Sequence, residues 1–328
     1  MTTVAIVEPL NLFGSELRQA LSSDKFEYDD IRVMTFDPSG VGAVTEAGGK
    51  PALVQGAESE ALAGVDVIFD CGGGQEIPTL LEAMADDSAL IVLDPTDIPE
   101  NSVSVVAGVN SEESLQTSVI VSPDPATILL AHLLQPLADT GLGEVVALIL
   151  LPASAHGQEG LDELFDQTRA ILAMSEDRPQ SVFGTQLAFN LLPRMGGGFQ
   201  VANRISTILR SDASVEVGTI QAGVFHSIAA SVFVRTANQG ASDDLAARLA
   251  RSEYLVFADE PETLGPIAAA AGDKIIVAPL LQSAEDSNGH WIWAVMDNLT
   301  RGGAFNALDI ARYILQNKNQ VHRSAVSG

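Results

Sequence analysis

The chain has 328 residues, 46% of them hydrophobic and 18% charged, and its 43 Asp and Glu against 17 Lys and Arg leave a formal net charge of −26. That is a globular composition with room for about two domains, and so acidic a surface excludes polyanionic partners, both nucleic acid and anionic membrane surfaces. The one cysteine, Cys71, rules out an intramolecular disulfide and leads to the expectation of a reducing, cytoplasmic compartment. The first residues lack the basic segment of a signal peptide, and no apolar run approaches the ~18 residues of a spanning helix.

Residues 3–7 (TVAIV) form a continuously apolar, β-branched run, the pattern of a strand buried on both faces. Helical spacing follows over 15–21, with Leu17 and Leu21 on one face. Residues 31–36 alternate and stop at Asp37-Pro38. A third strand, 65–69 (VDVIF), runs into Cys71-Gly72-Gly73-Gly74. A helix over 77–84 and a strand over 89–93 (ALIVL), stopped by Asp94-Pro95, complete the series. Strands alternating with helices, each ending in a Gly- or Pro-marked loop, predict an α/β doubly wound parallel sheet of Rossmann type.

Beyond residue 122 the texture changes. Asp124 is placed to cap a helix whose first residue is Pro125 and which stays apolar to Leu137. A strand is expected over 144–151 and an amphipathic helix over 160–174. Short strands dominate 215–236, 274–279 and 291–295. This pattern predicts a second, α+β domain. The last periodic segment, 305–315, reads as one helix followed by a polar tail.

A dinucleotide-binding turn needs glycines for its tight turn, for backbone approach to the pyrophosphate and for helix–strand packing. The segment after the first strand is Val7-Glu8-Pro9-Leu10-Asn11-Leu12-Phe13-Gly14. Of these glycines only Gly14, the packing one, is present. Glu8 puts a carboxylate where the pyrophosphate would lie, and Pro9 removes an N–H donor. Asp37 stands where a ribose-binding acid would, although an acid at a strand end equally forms a turn. The residues therefore favour a Rossmann domain kept for its fold, with NAD(P) at most a weak ligand.

Residues 179–193 (PQSVFGTQLAFNLLP) and 293–310 (WAVMDNLTRGGAFNALDI), with VDVIFDCGGG and GLDELFDQTRAIL, resemble segments of the aspartate-semialdehyde dehydrogenase family in collinear order. The resemblance implies a Rossmann-type, NAD(P)-binding-like domain from residues 1–127 with 306–328. It also implies a dimerising, former catalytic α+β domain from 128–305. In this family a cysteine at a helix start attacks an aldehyde, hydride leaves to NADP, and phosphate releases the acyl group. A helix N-terminus suits that role because it stabilises thiolate. Here the corresponding turn is Ser122-Pro123-Asp124-Pro125-Ala126-Thr127, and Pro125 occupies the nucleophile position. His226 matches the family's histidine. Thr219 stands where an arginine would hold the substrate carboxylate, Leu151 near an orienting glutamine, and Thr207 near a phosphate-binding lysine. Losing a bidentate guanidinium removes the main anchor for a carboxylate.

Other candidates compete with this picture. Cys71 reads either as a relocated nucleophile or as a small buried residue at a strand end. Gly72, Gly73 and Asn298 are the remaining candidates for nucleotide contact. His132, His156, His290 and His322 lack metal-ligand spacing, so no metal site is expected. Ser154-Ala155-His156 lacks the elbow of a serine hydrolase. The first expectation is a homodimeric homologue without catalysis, most like the bacterial Usg-type proteins, that binds or regulates, with a metabolic protein as partner. The alternative is an active NAD(P)-dependent semialdehyde dehydrogenase of amino-acid biosynthesis with rearranged chemistry. A bare nucleotide sensor is a third reading.

Overall fold

A computed structural model describes residues 1–23, 26–237 and 242–326. The chain divides into two compact units, Met1–Asp124 with Gly303–Gly328, and Pro125–Gly302.

The first unit is built on strands β1 (Thr3–Val7), β2 (Asp30–Thr35), β3 (Val67–Asp70), β4 (Ala89–Leu93) and β5 (Val119–Ser122). Together with edge segments Gln55–Gly56 and Val103–Ser104 they form a seven-stranded sheet in which every neighbouring pair is parallel. Every residue of β1, β3, β4 and β5 is buried. That is why these strands read as unbroken apolar runs: alternate side chains feed two different cores. Val4, Ile6, Phe69 and Ile91 pack with Leu17 and Leu21 of helix α1 (Leu12–Ser23) and with Leu308 and Ala311 of the C-terminal helix (Asn306–Val326). Ala5, Val7, Ile68 and Leu90 pack on the other face with Leu62, and with Ile77 and Leu80 of helix α2 (Ile77–Ala83). Sheet order reverses at β1, with β2 on one side and β3 on the other. The loops after β1 and β3 therefore flank the switch point where doubly wound sheets take ligands.

Helix α1 starts three residues earlier than its apolar spacing predicts, because Asn11 caps it: its Oδ1 accepts the Gly14 N–H at 2.7 Å. At the other end of the chain the helix runs to Val326 where a polar tail after Leu315 was expected. No glycine or proline intervenes to stop it. Asn306 joins this helix to the sheet, accepting the Ala107 N–H and donating to the Val105 carbonyl and the Ser122 hydroxyl.

The second unit is a mixed sheet. Its strands are β6 (Leu142–Leu151), β7 (Leu191–Arg194), β8 (Ser214–Ala222), β9 (Ile228–Thr236), β10 (Leu255–Phe257), β11 (Ile275–Val277) and β12 (Gly289–Met296), in the order β7-β8-β6-β9-β12-β11-β10, and a short eighth strand, Leu281–Gln282, pairs with β12 off this path. Its longer helices are α3 (Pro125–Leu134), α4 (Gly157–Leu172) and α5 (Gly197–Leu209). Residues Ala126–Leu134 of α3 are all buried, so an apolar surface all round marks a core helix. Contact of α5 with β8 requires glycine at 198, where a Cβ would meet the Val217 carbonyl oxygen at 1.7 Å.

One face of this sheet stays open. Cross-strand register aligns Val146, Phe233, Trp291 and Leu281 in a single row. Val146, Trp291 and Leu281 are exposed, and Leu148 is exposed in the adjoining row. The Phe233 and Trp291 rings lie 5.2 Å apart. Arg235, bonded to Glu144 and Asp286, marks the polar border. So much apolar side chain on a flat sheet face is the mark of a protein–protein surface.

Candidate functional site

The crevice at the switch point is lined by the chain's own carboxylates. Glu8, in the tight turn after β1, has φ +57°, a left-handed conformation that glycine adopts freely and glutamate does not. Its carboxylate turns back to the end of β2, accepting the Phe36 N–H at 2.8 Å and the Thr35 hydroxyl at 2.8 and 3.0 Å. In a dinucleotide-binding unit this strand end recognises the ribose. On the other side, Asp70 accepts the Gly72 N–H at 2.8 Å and the Gly74 N–H at 2.9 Å. Burial raises the Asp70 carboxyl despite these two bonds, with Glu8 adding to the rise. The Phe36, Gly72 and Gly74 amides at this end of the sheet are thus already taken by side chains.

The residues expected for the cofactor fall out as follows. Gly14 is a packing glycine: a Cβ there would lie 2.3 Å from the Glu8 carbonyl oxygen. Gly72 and Gly73 follow β3 as the sequence places them, with Gly73 at φ +73°. Asp37 is exposed and spends its carboxylate in a local turn, accepting the Ser39 N–H at 2.9 Å and hydroxyl at 2.7 Å, which hold it below the usual carboxylate range. Cys71 is buried, and burial, then Asp70 and Glu8, push its thiol well above the ordinary value. A thiol kept neutral this way is a poor nucleophile. We expect native protein at pH 8 to react with a thiol reagent at least roughly a hundredfold more slowly than denatured protein. Comparable rates would mean that Cys71 is accessible.

In the second unit, Pro125 opens helix α3, and a Cβ on Gly302 would lie 2.8 Å from the Pro125 Cβ and from Met296, so side chains fill this helix start. His226 is exposed in the turn between β8 and β9 and makes no hydrogen bond among the described residues. Its neighbour Ser227, at φ +70°, donates its N–H to Asn298 Oδ1 at 2.9 Å. Asn298 is fully buried, and its Nδ2 reaches the Ser154 hydroxyl at 3.0 Å. Its carboxamide therefore ties the 224–227 turn to the 153–156 turn. Thr219 is buried on β8, its hydroxyl donating to the Arg194 carbonyl at 3.3 Å.

Two groupings of residues appear only in the structure. Glu163 and Gln167, one turn apart on α4, are both buried and hold the 179–190 segment. Glu163 accepts the Val182 N–H at 2.7 Å, the Phe183 N–H at 3.1 Å and the Ser181 hydroxyl at 2.9 Å. Gln167 accepts the Leu187 and Ala188 N–H groups at 2.7 and 3.0 Å and donates to the Pro179 and Thr185 carbonyls. The second group is Arg194, His156 and Gln221. Arg194 lies directly across from Thr219 in the β7–β8 register. Among the described residues no His, Cys, Asp and Glu group could hold a metal, and no helix is long and apolar enough to cross a membrane. The side chain of His322 lies outside those described.

A family profile described as semialdehyde dehydrogenase, dimerisation domain, matches residues 134–301, just over half of the chain. The aspartate-semialdehyde dehydrogenase of Bacillus subtilis is 27% identical, over 94% of this chain and 96% of that one. The enzyme of the same name from Rickettsia typhi is 26% identical over 77% and 80%. Among solved structures, a probable aspartate-semialdehyde dehydrogenase from Pseudomonas aeruginosa superposes with a TM-score of 0.89 at 22% identity, covering 96% of this chain and 98% of that one. The Candida albicans enzyme, solved with NADP, gives 0.74 at 15% identity, covering 97% and 99%.

Proposed function

The chain belongs to the semialdehyde dehydrogenase family, through its dimerisation domain, and on that premise we propose that it is a homodimeric member that has lost the covalent chemistry, of the Usg-type kind, and acts by binding. One observation carries the reading: the helix expected to present the nucleophile begins with Pro125, which has no side-chain nucleophile. The only thiol, Cys71, is buried and held neutral. A covalent route needs an accessible thiolate beside its base, and neither residue supplies one.

The cofactor side supports the same conclusion. NADP does not fit the first unit's crevice as it stands. Glu8 occupies the donors at the end of β2, and Asp70 occupies two amides of the glycine loop. A ribose would meet the Glu8 carboxylate at the strand end that should receive it, and Asp70 keeps two loop amides from a ligand. On this reading Gly14, Gly72 and Gly73 persist because the fold needs them, Asp37 is a turn former, and Asn298 is a positioning residue between two turns. His226 is an inherited residue without a partner thiol. The open apolar face of the second unit is the homodimer surface, and a metabolic protein is the further partner the reading allows for.

The test is an assay of purified protein with aspartate semialdehyde, NADP and phosphate, following reduced nicotinamide. Turnover indistinguishable from buffer is expected. Robust turnover that vanishes in Cys71→Ala would overturn the proposal in favour of an active dehydrogenase with relocated chemistry.

A further inference from the structure

We propose that the first unit binds an extended segment of a basic partner protein, which adds a parallel strand to the outer edge of β2. The inference stands whether or not turnover is detected.

The first observation is an unpaired edge. On its outer side β2 (Asp30–Thr35) is covered only at Met34 and Thr35, by Gln55 and Gly56. The Met34 carbonyl accepts the Glu8 N–H and Asp30 donates to the Thr2 carbonyl, so the even-numbered residues of β2 bond toward β1. Ile31 and Val33 therefore turn their N–H and C=O groups outward. The Met34–Gln55 register takes up the Val33 carbonyl. Both backbone groups of Ile31 and the Val33 N–H are left without a strand partner. β2 contains no proline and no bulge, the usual guards of an edge. A residue set opposite Arg32 by a parallel strand donates to the Ile31 carbonyl and accepts from the Val33 N–H, in line with Gln55–Gly56.

The second observation is a preformed cleft along that edge. Ahead of Gln55 the chain leaves the sheet, and Lys50–Leu53 pairs back on Val44–Ala47 as a hairpin. The hairpin walls one side of a cleft of about 590 Å³, and residues 60–63 wall the other. Arg18 Nη1 donates to the Glu46 carbonyl at 2.8 Å and the Gly49 N–H to the Ser22 hydroxyl at 2.9 Å, which tie the hairpin to α1. Its tip rests on a side chain, since a Cβ on Gly48 would collide with the Tyr28 hydroxyl. On the other wall, Arg32 Nη1 donates to the Ala61 and Ala63 carbonyls, both at 2.8 Å. A partner therefore meets walls that need no ordering.

The third observation sets the partner's chemistry. Ile31 and Val33 pack on the hairpin side with Ala47, Ala52 and Tyr28, and exposed Leu53 lies on the rim. Alternate side chains of the added strand therefore meet an apolar surface. The others share the face of Arg32, whose guanidinium is committed to Asp30 at 3.5 Å and to the two carbonyls. Glu60 is exposed on that wall and makes no ion pair among the described residues. Glu27, Asp29, Asp30, Glu58 and Glu60, in or next to the cleft, outnumber Arg32 and Lys50. A chain with a net charge of −26 also steers a basic segment in. The occupant is thus an alternating segment, apolar toward the hairpin and lysine or arginine toward Glu60.

The experiment uses the full-length protein and a fluorescent peptide with the core Lys-Val-Lys-Val-Lys, followed by anisotropy at constant ionic strength. A Glu-Val-Glu-Val-Glu peptide should bind at least roughly tenfold more weakly. N-methylation of the amides along one edge of the lysine peptide should cost at least roughly tenfold, and along the other edge little, because only one edge faces β2. Glu60→Lys, at an exposed position, should fold as the parent does and weaken the lysine peptide at least roughly fivefold. In parallel, hydrogen exchange should show the Ile31 and Val33 amides slowed at least roughly tenfold by the peptide, with Arg32, already bonded to β1, unchanged. Binding that tolerates methylation of either edge, or that leaves exchange at Ile31 and Val33 unchanged, overturns the site. Protection of these two amides by rising protein concentration alone would assign the edge to a second copy and overturn the proposal as well.

Discussion

Replacing Trp291 with aspartate is expected to turn the protein from dimer to monomer, with the dissociation constant raised by roughly three to five orders of magnitude. Trp291 sits in the exposed row Val146–Phe233–Trp291–Leu281. Central tryptophans in such faces contribute about 2–4 kcal/mol each. A twofold interface uses the residue twice, so one substitution removes two anchors and buries two unpaired charges. Sedimentation equilibrium over a dilution series checks the prediction. Trp291 is 45% exposed in the single chain, so the variant should keep its secondary structure. A dimer of unchanged affinity would mean that copies associate elsewhere.

Glu163→Ala should lower stability by about 3–4 kcal/mol, read as a shift of the urea midpoint, because the Val182 and Phe183 amides and the Ser181 hydroxyl lose their acceptor together. Burial alone would raise the Glu163 carboxyl, but its donors outweigh burial and hold it below the usual carboxylate range. A folded-state pKa below the unfolded one means the stabilisation is complete above the unfolded value, near pH 4.3. It is lost as pH falls through the folded value. The gap between the parent and Glu163→Gln should therefore be widest at neutral pH and close below about pH 4. A gap that persists unchanged in acid would show that the carboxylate's charge is not what holds the loop.

The contrast between these two sites explains what was legible in the sequence. The parallel sheet announced itself because strands such as residues 89–93 must be apolar on both faces, and their shortness, β-branched residues and Gly- or Pro-marked ends set them apart from a buried helix such as α3. Glu8 was visible as a misfit, a carboxylate in a loop that wants glycine, although its reach to Thr35 and Phe36 depends on strand order. Glu163 and Gln167 were not visible, since a Glu and a Gln four apart on an amphipathic helix read as its wet side. Their burial depends on a loop nearly twenty residues away folding over them. Arg194 was hidden for a similar reason. Only the antiparallel register of β7 on β8 sets it opposite Thr219, and register is a property of two strands that neither strand displays alone.

The left-handed turn at Glu8 has a consequence for how this crevice could change. The backbone still follows the path a glycine would take, φ +57°, so at the end of β2 the obstruction is a side chain and not the main chain. That side chain acts as a tethered competitor. It meets the Thr35 and Phe36 donors at an effective concentration of order millimolar or higher, which a freely diffusing anion must exceed to displace it. A single exchange to glycine would remove the competitor and relieve backbone strain in one step.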